Sequence, residues 1–456
     1  MPLRAGDGGN MLSTEDNELI SRVGPGTLMG DLMRQYWVPA MLSSEVPGPD
    51  SEPIRVMLLG EQLIGFRDTS GHVGVVSNLC PHRGASLFFG RNEENGIRCV
   101  YHGWKFDTSG NCVDMPNEPA ESNFKSRIKA NAYPCHERGG VVWAYMGSRD
   151  TLPPLPDLEA NQLPDGQWTA SIVQRECNWL QALEGDIDTS HLGFLHLGAL
   201  EPEDLPTRSF DYYTVKDRAP HYVALDTAYG AMYGAYRASE PGYLYWRVAQ
   251  FLFPFYTHIP TGLLGREIRT RCWVPMDDTH TMYFMLAKRP ASTGHSEAPS
   301  APARSPFLEN TTDWFGRARY EANGTNDYLI DREGQRAKRS FTGIQTIHLQ
   351  DQAVTESMGP VLHRELENLG SADIMVIRVR MRLLEAALAF KDKGIVPPGV
   401  DNPEIYQVRS GGAFLPEGQD WLEGIEDLLP AHVEHPELDP NLDARGLRRI
   451  SSKPTP

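Results

Sequence analysis

The spacing of hydrophobic residues changes along the chain, and the change predicts two kinds of structure. Residues 27–38 (TLMGDLMRQYWV) repeat apolar side chains at helical spacing, which predicts a short amphipathic helix that Pro39 ends. Residues 54–68 (IRVMLLGEQLIGFRD) instead predict two strands joined by a turn at Gly60, and similar short apolar runs continue to about residue 150. An antiparallel β region therefore follows a short helical segment.

The second half of the chain mixes helical and strand-like patterns. A helix is predicted near residues 180–196, and the clearest helix spans 371–394, where Ser371 is suited to begin it. Strand patterns occupy residues 243–259 and 266–276. Separate runs of strands and helices of this kind predict an α+β fold.

A proline-rich stretch at residues 151–166 (TLPPLPDLEANQLPDG) marks the boundary between the two regions. Low-complexity residues 292–306 predict an exposed loop in the second region. The resulting domain division is an N-terminal helical segment at 1–39, a β domain at 40–155, a larger domain at 156–430 and a tail at 431–456.

Composition narrows the function classes. The chain has 456 residues, of which 40% are hydrophobic and 23% charged, as in an ordinary globular protein. Its net charge of −17 disfavours binding to nucleic acid or to an anionic membrane surface. The six cysteines show no disulfide-framework spacing, and no apolar run has the length of a bilayer span, so we expect a cytoplasmic protein with reduced thiols.

Two short motifs contain paired metal ligands. CPHRGASL (80–87) and CVYHGWKFD (99–107) present Cys80, His82, Cys99 and His102, as Cys-x-His and then Cys-x-x-His after a gap of 16 residues. Two thiolates on one iron and two imidazoles on the other are the ligands of a Rieske [2Fe–2S] cluster. A structural zinc site also uses two Cys and two His and is the alternative, although zinc fingers usually present a Cys pair and then a His pair.

A second candidate metal site lies in EGDIDTSHLGFLH (184–196). His191 and His196, with one distant carboxylate, match the two-histidine, one-carboxylate set that binds non-haem iron with open positions for dioxygen. Five residues do not return to one face of a regular helix, so we expect a bulge or a helix end that lets both imidazoles converge. Taken alone, two histidines at this spacing are more often ordinary hydrogen-bonded residues.

These motifs together resemble the Rieske non-haem iron oxygenases that hydroxylate aromatic rings, in the phthalate-dioxygenase-like branch whose oligomers contain α subunits only. The resemblance rests on the CxHRGA and CxYHGW loops, on the Asp-x-x-His-x-x-x-x-His segment that begins at Asp188, and on the stretches 326–344 and 351–360. It implies a Rieske domain followed by a helix-grip domain, an antiparallel sheet covered by helices. The implied cofactors are a [2Fe–2S] cluster and a mononuclear Fe(II).

The same resemblance implies residue roles. Asp351 is the expected third iron ligand, with Glu356 in reserve and His348 as a nearby competitor. Asp188 is expected not to bind iron but to accept hydrogen bonds from an iron-bound histidine and from His102 of a neighbouring subunit, which requires a ring such as a trimer or hexamer. Asp186 and Glu184 lie close in sequence and remain alternative acceptors.

The expected reaction uses O₂ and electrons from a separate NAD(P)H-dependent flavin and iron–sulfur reductase. We expect cis-dihydroxylation of a small aromatic substrate, with a phthalate-like acid favoured. An O-demethylating monooxygenase acting on a methoxylated aromatic is the first alternative, and a non-catalytic electron carrier is the second. Phe194, Phe253 and Phe255 are candidate pocket walls. Candidate partners for a substrate carboxylate are Arg218, Arg247, Arg266, Arg269 and Arg271.

Overall fold

Three small antiparallel sheets form the region that contains the cysteine and histidine loops. They are ordered β1-β11-β10, β2-β3-β4-β9 and β5-β6-β7-β8. The computed structural model describes residues 12–119, 121–207, 209–289 and 305–431. The strands are β1 Trp37–Leu42, β2 Ile54–Leu58, β3 Glu61–Arg67, β4 Val73–Ser77, β5 Arg91–Asn92, β6 Ile97–Arg98, β7 Lys105–Phe106, β8 Cys112–Asp114, β9 Ala132–Tyr133, β10 Cys135–Arg138 and β11 Val141–Tyr145.

One eight-stranded antiparallel sheet forms the centre of the second region. Its order is β12-β18-β17-β16-β15-β14-β13, and β19 pairs with β15 off this path. The strands are β12 Trp168–Arg175, β13 His221–Thr227, β14 Gly230–Ala238, β15 Tyr243–Leu252, β16 Tyr256–His258, β17 Arg269–Pro275, β18 Thr281–Lys288 and β19 Gly411–Pro416. The helices of the chain are α1 Thr14–Ser21, α2 Leu28–Met33, α3 Trp179–Ile187, α4 Phe210–Lys216, α5 Arg332–Arg336, α6 Ile347–Ser357, α7 Ile374–Lys393 and α8 Trp421–Ile425.

Helices cover both faces of this sheet. Successive side chains of a strand point to opposite faces, so Trp246 and Arg247 of β15 mark the two sides. Trp246 stacks on Trp421 of α8, with ring centroids 5.1 Å apart. Arg247 bonds to Thr189, just after α3. The predicted α+β fold with an antiparallel sheet between helices is confirmed.

The predicted hairpin at residues 54–68 is confirmed, and its turn explains its geometry. Leu59 and Gly60 both have positive φ, at 47° and 78°. Two such residues make a turn whose twist matches that of the flanking strands β2 and β3. The geometry of this hairpin is therefore set by its own two turn residues.

The predicted helix at 27–38 is too long, and Pro39 does not end it. The helix α2 ends at Met33 because the buried Arg34 guanidinium donates to the carbonyls of Val23 and Gly30, at 3.1 and 3.0 Å. Pro39 instead lies in β1, an edge strand whose register shifts between Pro39 and Met41. An edge strand with a bulge tolerates a residue that has no N–H. The strand β1 therefore crosses the expected segment boundary at residue 39.

Two other helices begin or end differently from the prediction. Residues Ser371–Asp373 form a 3₁₀ turn, and α7 begins only at Ile374. The end of α7 agrees with the prediction, because Gly394 stops the helix with a φ of 64°. The helix predicted near 180–196 ends at Ile187. Asn178 caps the start of this helix, and the backbone becomes extended at Asp188. Both histidines therefore lie outside the helix.

Most of the predicted loop at 292–306 and the tail at 431–456 lie outside the described residues. Within the described ranges, no helix has both the length and the apolar character needed to cross a membrane. The main hydrophobic cluster runs from the N-terminal helices through β1 and β11 into the large sheet. A smaller cluster, which includes Cys80, Cys99 and Trp104, lies beneath the two ligand loops.

Candidate metal centres

The first cysteine and histidine loop is a tight turn closed by its own backbone. The Cys80 N–H donates to the Ala85 carbonyl at 2.8 Å, and the Gly84 N–H donates to the Cys80 carbonyl at 2.9 Å. Gly84 has φ +74°, a conformation that side chains with a Cβ rarely adopt. This turn holds the buried Cys80 sulfur inside and leaves His82 half-buried.

The second loop repeats the first. The Cys99 N–H donates to the Trp104 carbonyl at 2.8 Å, and the Gly103 N–H donates to the Cys99 carbonyl at 3.0 Å. Gly103 has φ +80°. Two turns of the same hydrogen-bonding pattern therefore present one cysteine and one histidine each.

The two loops bring like ligands together. The rings of His82 and His102 have centroids 4.4 Å apart, and His82 also stacks on Trp104 at 4.2 Å. Cys80 and Cys99 are both buried beneath them. Burial raises the pKa of the Cys80 thiol to about 11, so a metal must displace its proton. The arrangement is a sulfur pair inside and a nitrogen pair outside.

This separation fits a two-iron cluster better than a zinc ion. Tetrahedral zinc holds four ligand atoms within about 4 Å of one another. In the part of the chain that the structure describes, three potential metal ligands have ligand atoms within 4.8 Å of one another: His191, His196 and Asp351. The cysteines and histidines of the two loops do not form such a group. The loop ligands form a buried sulfur pair and a separate histidine pair, the arrangement that a two-iron cluster of this type uses.

His191, His196 and Asp351 converge from three segments. His191 begins a 3₁₀ turn after the end of α3, His196 follows that turn, and Asp351 projects from α6. The Nε2 atoms of the histidines lie 3.2 Å apart. The Asp351 Oδ1 lies 3.6 Å from His191 Nε2 and 3.1 Å from His196 Nε2. Ligands about 2.1 Å from one metal and at right angles are about 3 Å apart, so these atoms suit one face of an ion.

The outer nitrogen of each histidine also has a partner. His191 Nδ1 lies 3.4 Å from Asp188 Oδ2. His196 Nδ1 lies 2.7 Å from Gln350 Oε1, and the Gln350 amide nitrogen donates to the Ile344 carbonyl at 2.8 Å. Because that donation fixes the amide, Oε1 accepts the Nδ1 proton and leaves His196 Nε2 free for a metal. Gln350 was missed by sequence reasoning, although it is the immediate neighbour of Asp351 on α6.

Both carboxylates at this site favour the ionised form. Burial works against ionisation of Asp351, but the bond from His196 and the charges of both histidines hold its pKa below the ordinary value. Burial likewise opposes ionisation of Asp188, but His191 and the bonds from Ser190 lower its pKa. Asp351 is therefore available as an anionic ligand and Asp188 as an acceptor.

The other two carboxylates of the same segment have different partners. Glu184 is buried and bonds to Arg364 at 2.9 Å and to Arg380 at 2.6 Å. Asp186 bonds to Arg271 of β17. Of the three carboxylates in residues 184–188, Asp188 is therefore the one that lies within reach of a candidate iron ligand, His191.

The reserve ligands also lie elsewhere. Glu356 accepts from the Glu176 N–H and from Gln352, both at 2.8 Å, and from the Tyr328 hydroxyl, so it ties α6 to the end of β12. His348 is not among the three converging groups, and burial lowers its pKa to about 4. It is a neutral histidine beside the site.

The three candidate wall residues have different surroundings. Phe194 is 51% exposed, and its ring lies 6.3 Å from that of Phe341, with the Arg218 guanidinium 5.5 Å away. Phe253 and Phe255 are fully buried in the main core. Phe194 thus lies at an open edge beside the histidines, while the other two stay a prediction as pocket walls.

Comparison with known proteins gives family matches over both regions. A family model described as a Rieske [2Fe-2S] domain matches residues 36–134, and one described as LigXa C-terminal domain like matches residues 144–441. The chain is 47% identical over 433 residues to the oxygenase subunit of 3-chlorobenzoate-3,4-dioxygenase from Comamonas testosteroni. This alignment covers 93% of this chain and 100% of that protein. It is 39% identical over 396 residues to the oxygenase subunit of phthalate 4,5-dioxygenase from Pseudomonas putida, over 84% and 87% of the two chains.

A solved structure gives the same fold. The crystal structure of dicamba monooxygenase bound to dicamba superimposes with a TM-score of 0.53 at 17% identity, over 79% of this chain and 98% of that one. At this level of identity, the likeness concerns the fold alone.

Proposed function

The chain belongs to the Rieske oxygenases with a LigXa-like catalytic domain, and from that premise we propose that it hydroxylates an aromatic carboxylic acid as the terminal oxygenase of a multicomponent system. The observation that carries the proposal is the convergence of His191, His196 and Asp351 in a chain that also has a Rieske domain. The substrate class is supported by the two relatives named for 3-chlorobenzoate and phthalate, which are both aromatic carboxylates.

Each set of ligands has one assigned role. Cys80, His82, Cys99 and His102 would hold the [2Fe–2S] cluster, while the converging histidines and Asp351 would hold one Fe(II). When bound, the two centres supply electrons and activate dioxygen. The protein contributes by fixing the ligands: Gln350 holds His196 in the metal-binding tautomer, and α6 and the 3₁₀ turn hold the carboxylate and imidazoles on one face.

Asp188 is the positioning residue between the centres. Its carboxylate faces His191 Nδ1, and its remaining oxygen also binds Ser190 at 2.8 Å. We assign its second imidazole contact to His102 of a neighbouring subunit in a trimer or hexamer. The loops suit such a contact, because Leu79, Val100 and Tyr101 beside the histidines are each more than half exposed.

The electron donor is a separate NAD(P)H-dependent flavin and iron–sulfur reductase. The acidic surface, with a net charge of −17, suits a partner with a basic docking face. We also propose a cytoplasmic location, which agrees with six free cysteines, four of them outside the cluster loops.

The test is product analysis with a surrogate reductase, NADH and 3-chlorobenzoate or phthalate. The proposal predicts oxygen uptake and a cis-dihydrodiol, and both should vanish in His191→Ala. Formaldehyde release from a methoxybenzoate, with no diol from either acid, would establish the O-demethylase instead. Reduction of the cluster without oxygen uptake on any aromatic substrate would refute an oxygenase and leave an electron carrier.

A further inference from the structure

Two buried arginines of the large sheet contact the two segments that carry the candidate iron ligands. Arg175 ends β12, and Arg271 lies in β17. In the register of the sheet, Arg175 is opposite Thr281 of β18, and Thr281 is opposite Pro275 of β17, four residues after Arg271. Because side chains alternate along a strand, both arginines point to the same face of the sheet.

Arg271 fixes the end of α3, the helix that precedes both histidines. Its guanidinium pairs with the buried carboxylate of Asp186, in the last turn of α3. The same carboxylate accepts from the Thr257 hydroxyl and from the indole N–H of Trp273, the latter at 3.3 Å. Arg271 was a sequence candidate for a substrate carboxylate, but it has a carboxylate partner within the protein.

Arg175 makes a different contact, with the helix that carries Asp351. Its Nη1 donates to the His348 carbonyl at 3.1 Å, in the first turn of α6 and one turn before Asp351. A carbonyl oxygen has two lone pairs, so it can accept this bond beside a helical one. Among the described residues, Arg175 takes part in no ion pair within 4.0 Å, and its buried Nε has no hydrogen-bond partner. Charge pairing therefore does not explain why this arginine is buried.

The residue after Arg175 holds the opposite end of the same helix. The Glu176 N–H donates to the Glu356 carboxylate at 2.8 Å, in the last turn of α6. The Thr346 cap lies within the segment that begins α6, so it fixes how the helix begins but not where the helix lies on the sheet. Residues 175 and 176 therefore tie both ends of α6 to the end of β12, with Asp351 between them.

The charge of Arg175 contributes less than its position. This charge acts on Asp351, as do the charges of both histidines. A cation at this place attracts the Asp351 carboxylate but repels Fe(II), so the two electrostatic effects oppose each other. Geometry has no such compensation, because a set of metal ligands must be held to within about 0.5 Å of its productive arrangement.

We propose that Arg175 is a positioning residue for the mononuclear iron site, which holds the first turn of α6 so that Asp351 meets the two histidines on one face of the ion. Arg271 does the same for the histidine side through Asp186. Arg175 acts through the backbone of α6 and not by binding the metal. The inference rests on the proposed function and refines it, because it traces the ligand geometry to a contact from the sheet.

The first experiment titrates Fe(II) into protein whose mononuclear iron has been removed by a mild chelator. Arg175→Met should weaken iron binding by about tenfold to 100-fold, as expected for loss of a contact that orients a metal ligand, while the cluster absorbance stays unchanged. Arg175→Lys keeps the charge and one donor, so it should recover most of the affinity. Arg382→Met is the matched control, because Arg382 is half-buried and donates to the carbonyls of Gly230 and Thr227 instead of α6.

The second experiment uses the same protein without mononuclear iron and separates positioning from general support of the fold. Arg175→Met removes a buried cation that has no carboxylate partner, so the unfolding temperature should stay within about 2 °C of the wild type or rise. Hydrogen exchange of the amides of residues 348–354 should nonetheless be faster by about fivefold or more, because the first turn of α6 opens more often. Exchange in α7 should not change.

The outcomes that would overturn the inference differ from those that would refute the proposed function. A wild type that binds the third iron, with an affinity in Arg175→Met within about twofold of it, would overturn the inference alone. So would an equal loss in Arg382→Met, or a loss accompanied by a lower unfolding temperature and faster exchange in α7, since Arg175 would then be a general structural residue. A wild type that binds no iron beyond the cluster would refute the proposed function and the inference with it.

Discussion

Gln350 gives the sharpest test of how the iron site is built. Replacing Gln350 by Leu removes the oxygen that lies 2.7 Å from His196 Nδ1 and fixes the ring with Nε2 facing the metal. Without this acceptor, the imidazole is free to rotate and to place its proton on the metal-binding nitrogen. Loss of such a partner weakens metal binding by about tenfold to 100-fold, or roughly 1.4 to 2.7 kcal/mol.

The assay is titration of Fe(II) into protein whose mononuclear iron has been removed by a mild chelator, with the cluster absorbance recorded in parallel. Gln352→Leu is the matched control, because Gln352 is equally buried on α6 but bonds to Glu356 instead of a histidine. The reasoning predicts weaker iron binding for Gln350→Leu, near-normal binding for Gln352→Leu and an unchanged cluster in both. An affinity for Gln350→Leu within about twofold of wild type, or an equal loss in both variants, would refute it.

The remaining predictions concern the loops, pH and a buried ion cluster. A Cβ added at Gly103 would lie 2.6 Å from a proline ring, while a Cβ added at Gly84 would meet nothing within 4 Å. Gly103→Ala should therefore lose more cluster absorbance than Gly84→Ala. The reverse order would contradict the loop geometry. His258 has its pKa lowered from 6.5 to about 4 by burial, so the unfolded chain binds its proton first and stability falls as pH drops through this window. His258→Gln should reduce that pH dependence of the unfolding free energy by up to roughly 3 kcal/mol, and identical slopes in denaturant titrations would disprove this account. Glu184→Gln removes the carboxylate partner of the buried Arg364 and leaves Arg380 paired with Glu367 alone, so it should destabilise the fold by about 3 to 5 kcal/mol in the same assay. Asp226→Asn, in an exposed pair, should cost at most about 1 kcal/mol, and a small effect for both variants would contradict this account.

The cluster loops and the converging triad could be predicted from sequence because their chemistry is local. Cys80 and His82 are separated by one residue, and a glycine with positive φ is required two residues later. His191 and His196 are likewise close in sequence, and the expected helix end is present, because α3 ends at Ile187, before both histidines. Asp351 came from resemblance alone, since nothing in its local spacing indicates a partner 160 residues away.

The features that could not be predicted from the sequence depend on contacts between residues that are distant along the chain. Pro39 was interpreted as a helix stop, but pairing of β1 with β11 and the Arg34 cap set the local structure. The role of Gln350 likewise follows from a bond across 154 residues of sequence.

The most direct test of the whole account is the iron content of the purified protein with and without the triad. Chemical analysis with electron paramagnetic resonance should give about three irons per chain in the wild type, two in a reducible Rieske cluster and one in the triad. His191→Ala combined with His196→Ala should retain the cluster signal and about two irons. A wild type with only two irons, or a double variant that keeps the third, would contradict the claim that one chain holds both centres.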